Sequence, residues 1–379
     1  KNKDLKYSKE EVLSVSGELG IVNQIEHLGR SYAGASVHNY GVVEVGDIVY
    51  TKSPLKANPY GIIKLNKYKA GIVSTLYAVY TVNQKADGEF IEYYFSLDAN
   101  LNRYLRPLVR KGAKNDMKIS NEYVLNDRIY APKLEEQKRI AHFFNVVDEK
   151  LNQLKVKLNS LEDYKKGMMQ QIFKQKLRFK DKNGQDFPLW KEKKLDEVFS
   201  IFNGYAFSSS NSVPNGVVWV KIADVGIQQM KKDSLSFLPK ILTEKHKKFI
   251  LKKGDYVIAL TRPILNGELK IARIDDFFNN SLLNQRVGKI ISDNNTTYIY
   301  YVLQQEWLIN VIEKNIAGTD PPNLSPKEIN HIKLFVPEIA EQNKIANFLT
   351  KIDDKITTVK EQIEIVKTYK KALLQQMFV

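Results

Sequence analysis

The sequence predicts an α+β protein in which two mixed α/β segments alternate with two long helices that form an antiparallel coiled coil. Three observations predict this fold class: a long internal repeat, a heptad pattern inside the repeat, and short strand-like runs between its two copies. At roughly 150 residues per domain, the 379 residues suffice for more than one domain with its own core. The expected architecture is two copies of one unit related by a pseudo-two-fold axis.

The internal repeat begins at Pro132 and Pro337 and continues without a gap to Phe173 and Phe378. Of the 42 aligned positions, 15 carry identical residues. A repeat of this length decides the architecture before any single element does. The identical pairs include Glu136/Glu341, Gln137/Gln342, Asp148/Asp353, Tyr164/Tyr369, Lys165/Lys370, Lys166/Lys371 and Gln170/Gln375.

The repeat divides the chain into four regions. We expect a first globular domain at 1–131, a first helical region at 132–180, a second globular domain at 181–336 and a second helical region at 337–379. The first copy is shorter than the second by about 31 residues, whose counterparts are 175–205. We therefore expect the first domain to be truncated, and the natural protein to begin earlier than Lys1 with residues similar to that stretch.

The helical regions carry a coiled-coil pattern. After each proline, apolar residues recur at alternating steps of four and three, interrupted once by Lys165 and once by Lys370. A helix of about 40 residues is about 60 Å long. The seam residues are Ile140, Phe144, Val147, Leu151, Leu154, Leu158, Leu161, Met168 and Ile172, and then Ile345, Leu349, Ile352, Ile356, Val359, Ile363, Val366, Leu373 and Met377.

Two helices with matching seams can pair with each other, and we expect them to do so in an antiparallel arrangement. This pairing creates an internal two-fold axis and places the two globular segments at opposite ends of a rod. The pattern leaves two alternatives open, in which each helix packs on its own globular domain or on a second molecule.

The globular segments have the composition of mixed α/β domains. Each contains a Gly-Asp turn followed by an alternating strand. Identity between the two segments is poor, which predicts a shared fold with different surfaces, as two readers of different ligands require; drift after duplication is the alternative. Strands are expected at 41–50, 61–65, 72–82, 217–222, 253–260, 269–274 and 287–291, and helices at 91–96 and 298–312.

Composition narrows the class of function. The formal net charge is +15, which favours a polyanionic partner such as nucleic acid. The absence of cysteine excludes disulfides, thiolate zinc sites and a catalytic thiol. The five histidines are scattered without ligand spacing, no Walker loop is present, and no apolar run is long enough to cross a membrane.

Motifs at the junctions of the repeat resemble a known family. Both copies carry P…E-Q-x-x-I-A-x-F, at 132–143 and 337–348, followed by a long helix. The second copy adds F-P-L-W at 187–190, N-G-Y-A-F at 203–207, N-Q-R at 284–286 and A-G-T at 317–319. In its order of domains and in these motifs the chain resembles the specificity subunit of type I restriction-modification systems. The first copy lacks F-P-x-W, and R-K-G-A-K-N at 110–115 replaces its G-T loop.

The resemblance implies a protein without catalysis or cofactors. Two target recognition domains would each bind one half of a split double-stranded DNA sequence in the cytoplasm. The coiled coil would fix the spacing of the halves and dock two methyltransferase subunits, which in turn recruit restriction and translocase subunits. For this docking we assign Glu136, Gln137, Phe143, Glu341, Gln342 and Phe348.

Residues that read base edges or phosphates are expected near the predicted loops and strand ends. Arg, Lys, Asn and Gln pair with base edges, and Lys, Arg and hydroxyls bind phosphates. The residues assigned to DNA are Arg30, Tyr32, Lys52, Ser53, Lys111, Lys114, Asn115, Tyr205, Ser208, Lys221, Arg262, Asn284, Arg286, Thr319 and Asn323.

Two other classes of function remain open at this point. One is a DNA-binding protein with its own catalysis. Asp255, Glu268 and Lys270 match a loose metal-nuclease spacing, and N-P-Y at 58–60 and D-P-P-N at 320–323 are incomplete versions of an amino-methyltransferase motif. The other is a purely structural coiled-coil assembly protein.

Overall fold

A computed structural model describes residues 1–34, 36–54, 58–111, 117–316 and 321–378, without the side chains of residues 110, 111 and 118. These residues form two compact units. Unit 1 comprises Lys1–Lys157 and Val359–Val379, and unit 2 comprises Leu158–Thr358. Each long helix therefore contributes one part to each unit.

Unit 1 is a mixed α/β body. Its strands form the antiparallel pairs β1–β2, β3–β6 and β8–β9 and a three-stranded sheet of order β5-β4-β7. The elements are β1 Leu13–Ser16, β2 Gly20–Asn23, α1 Gln24–Leu28, β3 Gly41–Val43, β4 Ile48–Thr51, β5 Ile62–Leu65, β6 Gly71–Val73, β7 Tyr77–Tyr80, α2 Gly88–Ser96, α3 Asp98–Leu105, β8 Arg110–Lys111, β9 Met117–Lys118 and α4 Leu134–Phe173, the last of which continues into unit 2.

Unit 2 is also a mixed α/β body. Its sheets have the orders β11-β19-β14-β17, β13-β12-β18, β10-β20 and β15-β16, and β12–β18 is a parallel pair. The elements are β10 Lys191–Lys194, α5 Leu195–Val198, β11 Ser200–Asn203, β12 Val217–Val220, β13 Phe237–Leu238, α6 Ile241–Lys245, β14 Tyr256–Ala259, β15 Ile264–Leu265, β16 Glu268–Leu269, β17 Ile271–Arg273, β18 Leu282–Leu283, β19 Val287–Ile291, α7 Thr296–Val302, α8 Glu306–Ile316, α9 Pro326–Ile329, β20 Lys333–Val336 and α10 Ile339–Met377, which continues into unit 1.

Each unit has an equivalent central strand, and an equivalent turn leads into that strand. The Gly-Asp turns precede β4 and β14, and Gly46 and Gly254 both have φ of 92°, a left-handed conformation that favours glycine. The carboxylate of Asp47 accepts from the Glu44 N–H, and that of Asp255 from the Lys252 N–H. The flanking strands follow the same order, β5-β4-β7 and β17-β14-β19. The two globular segments therefore use one framework.

The long helices have the predicted seam, with one shift near their C-terminal ends. Met169 and Leu374 are buried there, in place of the predicted Met168 and Leu373, and Met377 is 42% exposed. A straight helix drifts about 20° per heptad from a 3.5-residue repeat. After four heptads the drift is about 80°, close to the 100° between successive residues, so the next residue faces inward.

The lysines that interrupt the seam are paired with aspartates of the other helix. In unit 2, Lys165 of α4 forms an ion pair of 2.7 Å with Asp353 of α10, which also accepts a 2.7 Å hydrogen bond from the Tyr301 hydroxyl of α7. Unit 1 contains the same triad with the helices exchanged. There Lys370 lies 2.5 Å from Asp148, and the Tyr93 hydroxyl of α2 donates to Asp148 at 2.8 Å.

This exchange shows that the two helices run antiparallel. The N-terminal part of α4 pairs with the C-terminal part of α10 in unit 1, and the reverse holds in unit 2. The aromatic stacking of Phe144 on Phe378, at 5.9 Å between ring centroids, agrees with the same arrangement in unit 1. The predicted antiparallel pairing of the two long helices is confirmed within each unit.

Several predicted elements are divided in the structure, and two of them are divided at turns that contain neither glycine nor proline. The helix expected at 298–312 is α7 and α8, separated by a turn in which the Gln305 N–H donates to the Val302 carbonyl. The strand expected at 72–82 is β6 and β7, separated by a turn in which the Tyr77 N–H donates to the Ser74 carbonyl. The sequence does not reveal these two turns, because no glycine or proline marks them.

The buried ion pair of unit 2 provides a test of helix pairing. We expect Lys165→Met to lower the free energy of unfolding by about 1–3 kcal/mol, since it leaves a partly buried carboxylate without its cation. The exposed neighbour is the control, and Lys166→Met should change stability by less than about 0.5 kcal/mol. Chemical denaturation followed by circular dichroism measures both.

A double-mutant cycle with Asp353→Asn distinguishes pairing from general damage. The two substitutions should be non-additive by about 0.5–3 kcal/mol, because either one alone already breaks the Lys165–Asp353 ion pair. Additive costs, or equal costs for Lys165→Met and Lys166→Met, would contradict the pairing.

Candidate nucleic-acid interface

An open polar depression in unit 2 is the first candidate for a DNA-binding surface. It has a volume of about 370 Å³ and lies where four loops meet: those that follow β11 and β14, the β18–β19 connection, and the loop before α9. Its lining is formed by Asn203, Leu260, Thr261, Gln285, Arg286, Asn323, Leu324, Ser325 and Pro326. Two of the predicted residues, Arg286 and Asn323, are thus brought together from positions far apart in the chain.

Backbone contacts fix the loops around this depression. A Cβ at Gly204 would lie 2.3 Å from the carbonyl oxygens of Leu283 and Asn284, so only glycine permits the loop after β11 to approach β18 so closely. The Asn284 side chain accepts from the Arg286 N–H. The predicted Asn284 therefore shapes the connection from which Arg286 projects.

Arg262 has a strained backbone at the rim. Its φ is 48°, a left-handed value that is uncommon for a residue other than glycine, and its N–H donates to the Pro322 carbonyl at 2.8 Å. The Thr261 hydroxyl donates to the Asn323 side chain at 2.8 Å. These bonds join the loop after β14 to the loop before α9 and fix the backbone from which the exposed Arg262 side chain projects.

The side chains of the depression suit nucleic acid. Asn and Gln amides and an Arg guanidinium supply the donors and acceptors that pair with base edges, and Thr and Ser hydroxyls bind phosphates. The sequence assignments omitted Asn203, Thr261, Gln285 and Ser325. The motifs N-G-Y-A-F and N-Q-R contain two of these residues, but a motif alone does not separate a lining residue from a loop-shaping one.

Positive charge accumulates beside the depression. Burial lowers the pKa of Lys270, and the neighbouring charges of Lys231 and Arg262 lower it further. Lys231 and Arg262 therefore lie close enough to Lys270 for their positive charges to act on it. Such a local field favours a polyanion.

The other predicted residues of unit 2 lie in more structural settings. Tyr205 is 41% exposed and stacks within an aromatic cluster, 4.2 Å from the His246 ring and 4.9 Å from Phe207. The half-buried Lys221 ammonium lies over the Trp219 ring at 4.1 Å and donates to Ser236. Ser208 is exposed and caps a short helical turn. Of these three residues, Tyr205 and Ser208 are exposed.

Unit 1 offers a different and sparser set. Arg30 lies over the ring of Tyr32 at 4.7 Å, and both side chains are exposed. The Lys52 ammonium donates to the Asn121 side chain at 2.7 Å, and burial lowers its pKa. Ser53 follows it and is half-buried. Lys114, Asn115 and Thr319 lie outside the described residues, and only the backbone of Lys111 is described, in β8.

The Gln residues of the repeated Glu-Gln motif are internal connectors. The Gln137 side chain accepts from the Asp87 N–H and donates to the Pro132 carbonyl, and Gln342 does the same with Asn295 and Pro337. Both glutamines are almost fully buried. They hold the first turn of each long helix to the N-cap of α2 or α7, so their side chains do not offer a docking surface.

The two glutamates of the motif are in different environments. Glu341 is fully buried and forms an ion pair with Arg178, whereas Glu136 is exposed. Glu341 is therefore a third buried residue of the assigned docking set, with an internal role. Phe143 is 39% exposed and Phe348 is half-buried against Phe179, at 5.5 Å between ring centroids.

The nuclease-like trio is dispersed. Asp255 belongs to the turn before β14 and forms an ion pair with Lys289 at 2.7 Å. Glu268 and Lys270 lie at the opposite end of the sheet, beyond β17, since Asp255 pairs with Ile274. Six residues of extended chain span about 20 Å. Within the described ranges there is also no cluster of His, Asp and Glu suited to a metal ion. The three side chains are therefore too far apart to hold one metal ion together.

The comparisons with known proteins identify the family. The model of the type I restriction modification DNA specificity domain matches residues 38–163 and 189–368. The chain belongs to this family. The two matched stretches correspond to the two copies of the repeat, so the family domain occurs twice.

Individual relatives agree with this assignment. Over 257 residues the chain is 32% identical to the type I restriction enzyme MjaVIII specificity subunit of Methanocaldococcus jannaschii, which covers 66% of this chain and 60% of that protein. It is also 28% identical over 188 residues to the EcoAI specificity subunit of Escherichia coli, covering 49% of this chain and 31% of that protein. The matched regions thus span less than two thirds of these relatives.

The fold is also that of a solved specificity subunit. The crystal structure of the type I restriction-modification S subunit from M. genitalium superposes with a TM-score of 0.61 at 15% identity, over 99% of this chain and 89% of that one. At this identity the likeness establishes the fold. The α+β architecture with two domains and two long helices is therefore confirmed.

The absence of a metal site in the trio leads to a prediction. Asp255→Ala should lower the free energy of unfolding by about 1–3 kcal/mol, because the turn loses the acceptor for the Lys252 N–H and Lys289 loses its partner. Glu268→Ala, in the exposed hairpin, should change it by less than about 0.5 kcal/mol. Thermal unfolding measured with and without Mg²⁺ checks both values. If Mg²⁺ stabilised the protein and both substitutions abolished that stabilisation, the trio would bind a metal ion and this account would be contradicted.

Proposed function

We propose that the chain is the DNA-recognition subunit of a type I restriction-modification complex and has no catalytic step of its own. The assignment of residues 1–131 and 181–336 as target recognition domains, and of 132–180 and 337–379 as the helical regions between them, is part of the proposal. Each domain binds one half of a bipartite double-stranded target. One observation carries the proposal: both globular segments have the same framework of sheet and Gly-Asp turn, and each is attached to the same antiparallel pair of long helices.

Different surfaces on the shared framework support two different half-sites. After the common strand β14, unit 2 has the rigid Arg262 turn and a depression rich in amides. After the equivalent β4, unit 1 has Lys52 bonded to Asn121. Because the sheets and Gly-Asp turns match while these loops do not, duplication has kept the scaffold and changed the surface that meets a ligand. Drift alone does not account for a polar surface assembled from four separate loops.

The proposed partners follow from the family. We infer that the helical regions dock two methyltransferase subunits and that restriction and translocase subunits join through these. A solved relative of 18% identity, with a TM-score of 0.50 over 96% of this chain and 89% of that one, comes from work on complex assembly and conformational transition of the type I system. Of the residues assigned to docking, Glu136 and Phe143 remain exposed and retain that role in the proposal. The complex acts on DNA and hence in the cytoplasm. No described helix is both long and apolar enough to cross a bilayer.

A gel-shift series separates recognition from a purely structural role. The chain is mixed with its methyltransferase partner and with a pool of random duplexes, and bound duplexes are recovered and sequenced. Enrichment of one split sequence supports the proposal. If all sequences were retained equally in every partner combination, the chain would have no sequence-specific DNA binding and the proposal would fail in favour of a purely structural role.

Loss of one cation from the depression should weaken binding and its salt dependence. Arg286→Ala should reduce the slope of log K against log salt by about one unit if Arg286 contacts a phosphate. If it instead binds a guanine edge, the slope holds and affinity for that base falls by about 1–3 kcal/mol. The matched control is Lys253→Ala, which removes an equal charge at the opposite end of β14 and should change neither quantity. Equal effects of the two substitutions would show that the depression is not part of the DNA interface.

A further inference from the structure

The seam lysine of unit 2 has a polar partner besides its aspartate. Lys165 is buried, and its ammonium group donates a 2.9 Å hydrogen bond to the side-chain oxygen of Gln228 in addition to its ion pair with Asp353. Gln228 lies in the loop between β12 and β13. In unit 1 the equivalent Lys370 hydrogen-bonds only to Asp148 among the described residues. The ion pair at the seam is therefore made in unit 1 without such a bond.

Gln228 lies near the tip of a tight hairpin formed by residues 224–231, here called the hairpin loop. The ends of the hairpin loop are joined by a bond from the Lys231 N–H to the Asp224 carbonyl. The φ of Gln228 is 56°, a left-handed value that is uncommon for residues other than glycine. Backbone strain of this kind persists only where surrounding contacts enforce it. The main chain supplies one such contact, because the Gln228 N–H donates to the Ile271 carbonyl of β17 at 2.9 Å.

The hairpin loop lies beside the basic side chains near the depression. It is bonded to Ile271, which directly follows Lys270, and the charges of Lys231 and Arg262 both act on Lys270. A Cβ at Gly226 would lie 2.9 Å from the Lys231 Cε and 3.2 Å from its Cγ, so the stem of Lys231 passes close over the hairpin loop. Lys231 is exposed and forms no ion pair with a described residue. It is therefore a cation that is available to a polyanion.

We propose that Gln228 is a positioning residue for DNA binding by unit 2 and that it acts through Lys231, which binds a DNA phosphate. This inference rests on the proposed DNA-recognition function. The Gln228 side chain is bonded to Lys165 of the long helix and its N–H to β17, so the hairpin loop is held on both sides. The backbone from which Lys231 projects is thereby fixed near Lys270 and Arg262. A loop that is ordered before binding loses less entropy when its cation meets a phosphate, and this raises affinity.

The experiment measures binding of the full chain, together with its methyltransferase partner, to the duplex recovered in the gel-shift series at several salt concentrations. Gln228→Gly removes the bond to Lys165, and glycine adopts a positive φ without strain. Affinity should fall about threefold to tenfold, and the slope of log K against log salt should fall by about one unit. The midpoint of thermal unfolding should change by less than about 3 °C, because relief of strain offsets the lost bond. The control is Gln229→Ala, an exposed neighbour in the hairpin loop, which should change none of these quantities.

A double-mutant cycle tests whether Gln228 acts through Lys231. Lys231→Ala should lower the salt slope by about one unit, and adding Gln228→Gly should then cost little more, because the cation that Gln228 positions is already absent. Lys232→Ala removes an equal charge next to it, but that ammonium group is paired with Asp275, so the slope should hold.

Three results would overturn the inference and leave the DNA-recognition proposal intact. These are additive effects of Gln228→Gly and Lys231→Ala, an unchanged affinity and salt slope in Gln228→Gly, and a larger fall in its unfolding midpoint, which would indicate a structural role. A chain without any sequence preference would instead overturn the DNA-recognition proposal, and this inference with it.

Discussion

The Tyr–Asp–Lys triads are the interaction on which the architecture depends. Each triad joins three elements: one long helix through aspartate, the other through lysine, and a helix of the globular domain through the tyrosine hydroxyl. An unpaired charge at a coiled-coil seam is costly, so Lys165 and Lys370 each specify one register. A slip of one turn would separate both lysines from their aspartates. The triads therefore fix helix pairing and the attachment of each domain together.

The hydrogen bonds of Gln137 and Gln342 attach each domain helix to a long helix at a second point, the N-terminal end of α2 or α7. Each glutamine satisfies an N-terminal N–H of α2 or α7 from the first turn of a long helix. The domain helix is thus held at its N-cap by the glutamine and, two turns later, by the triad. A framework held at two points tolerates changes in distant loops. This explains how the loops after β4 and β14 could diverge while the sheets and Gly-Asp turns stayed alike.

Much of this organisation could be predicted from sequence because it is encoded by local repetition. The heptads and the identical Asp148/Asp353 and Lys165/Lys370 pairs are visible without a structure, although the partner of each lysine is not. The prediction of the seam was wrong by one residue at Met168 and Leu373, because helical drift accumulates with length. The prediction that Gln137, Gln342 and Glu341 face a partner was not supported by their burial. A residue that is identical in both repeats indicates a contact that both units make, and that contact can lie inside the protein.

The depression in unit 2 shows the limit of sequence reasoning. Arg286 and Asn323 were assigned from residue type and predicted loops, but Asn203, Thr261 and Ser325 become neighbours only through long-range pairing of β11, β14 and β19. No periodicity encodes that proximity. Gly204 gives the nearest sequence signal, since a glycine in a strand-like run marks a close backbone approach. Conversely, the spacing of Asp255, Glu268 and Lys270 suggested a metal site because linear distance does not show that a strand separates them.

The central claim is that two copies of one recognition framework act on a single helix pair with fixed register. The measurement that tests it most directly is genome-wide mapping of methylated adenines in cells that carry this chain together with its methyltransferase. The account predicts a motif of two short specified elements separated by a constant number of unspecified bases. A single continuous motif, or two elements at variable spacing, would contradict it.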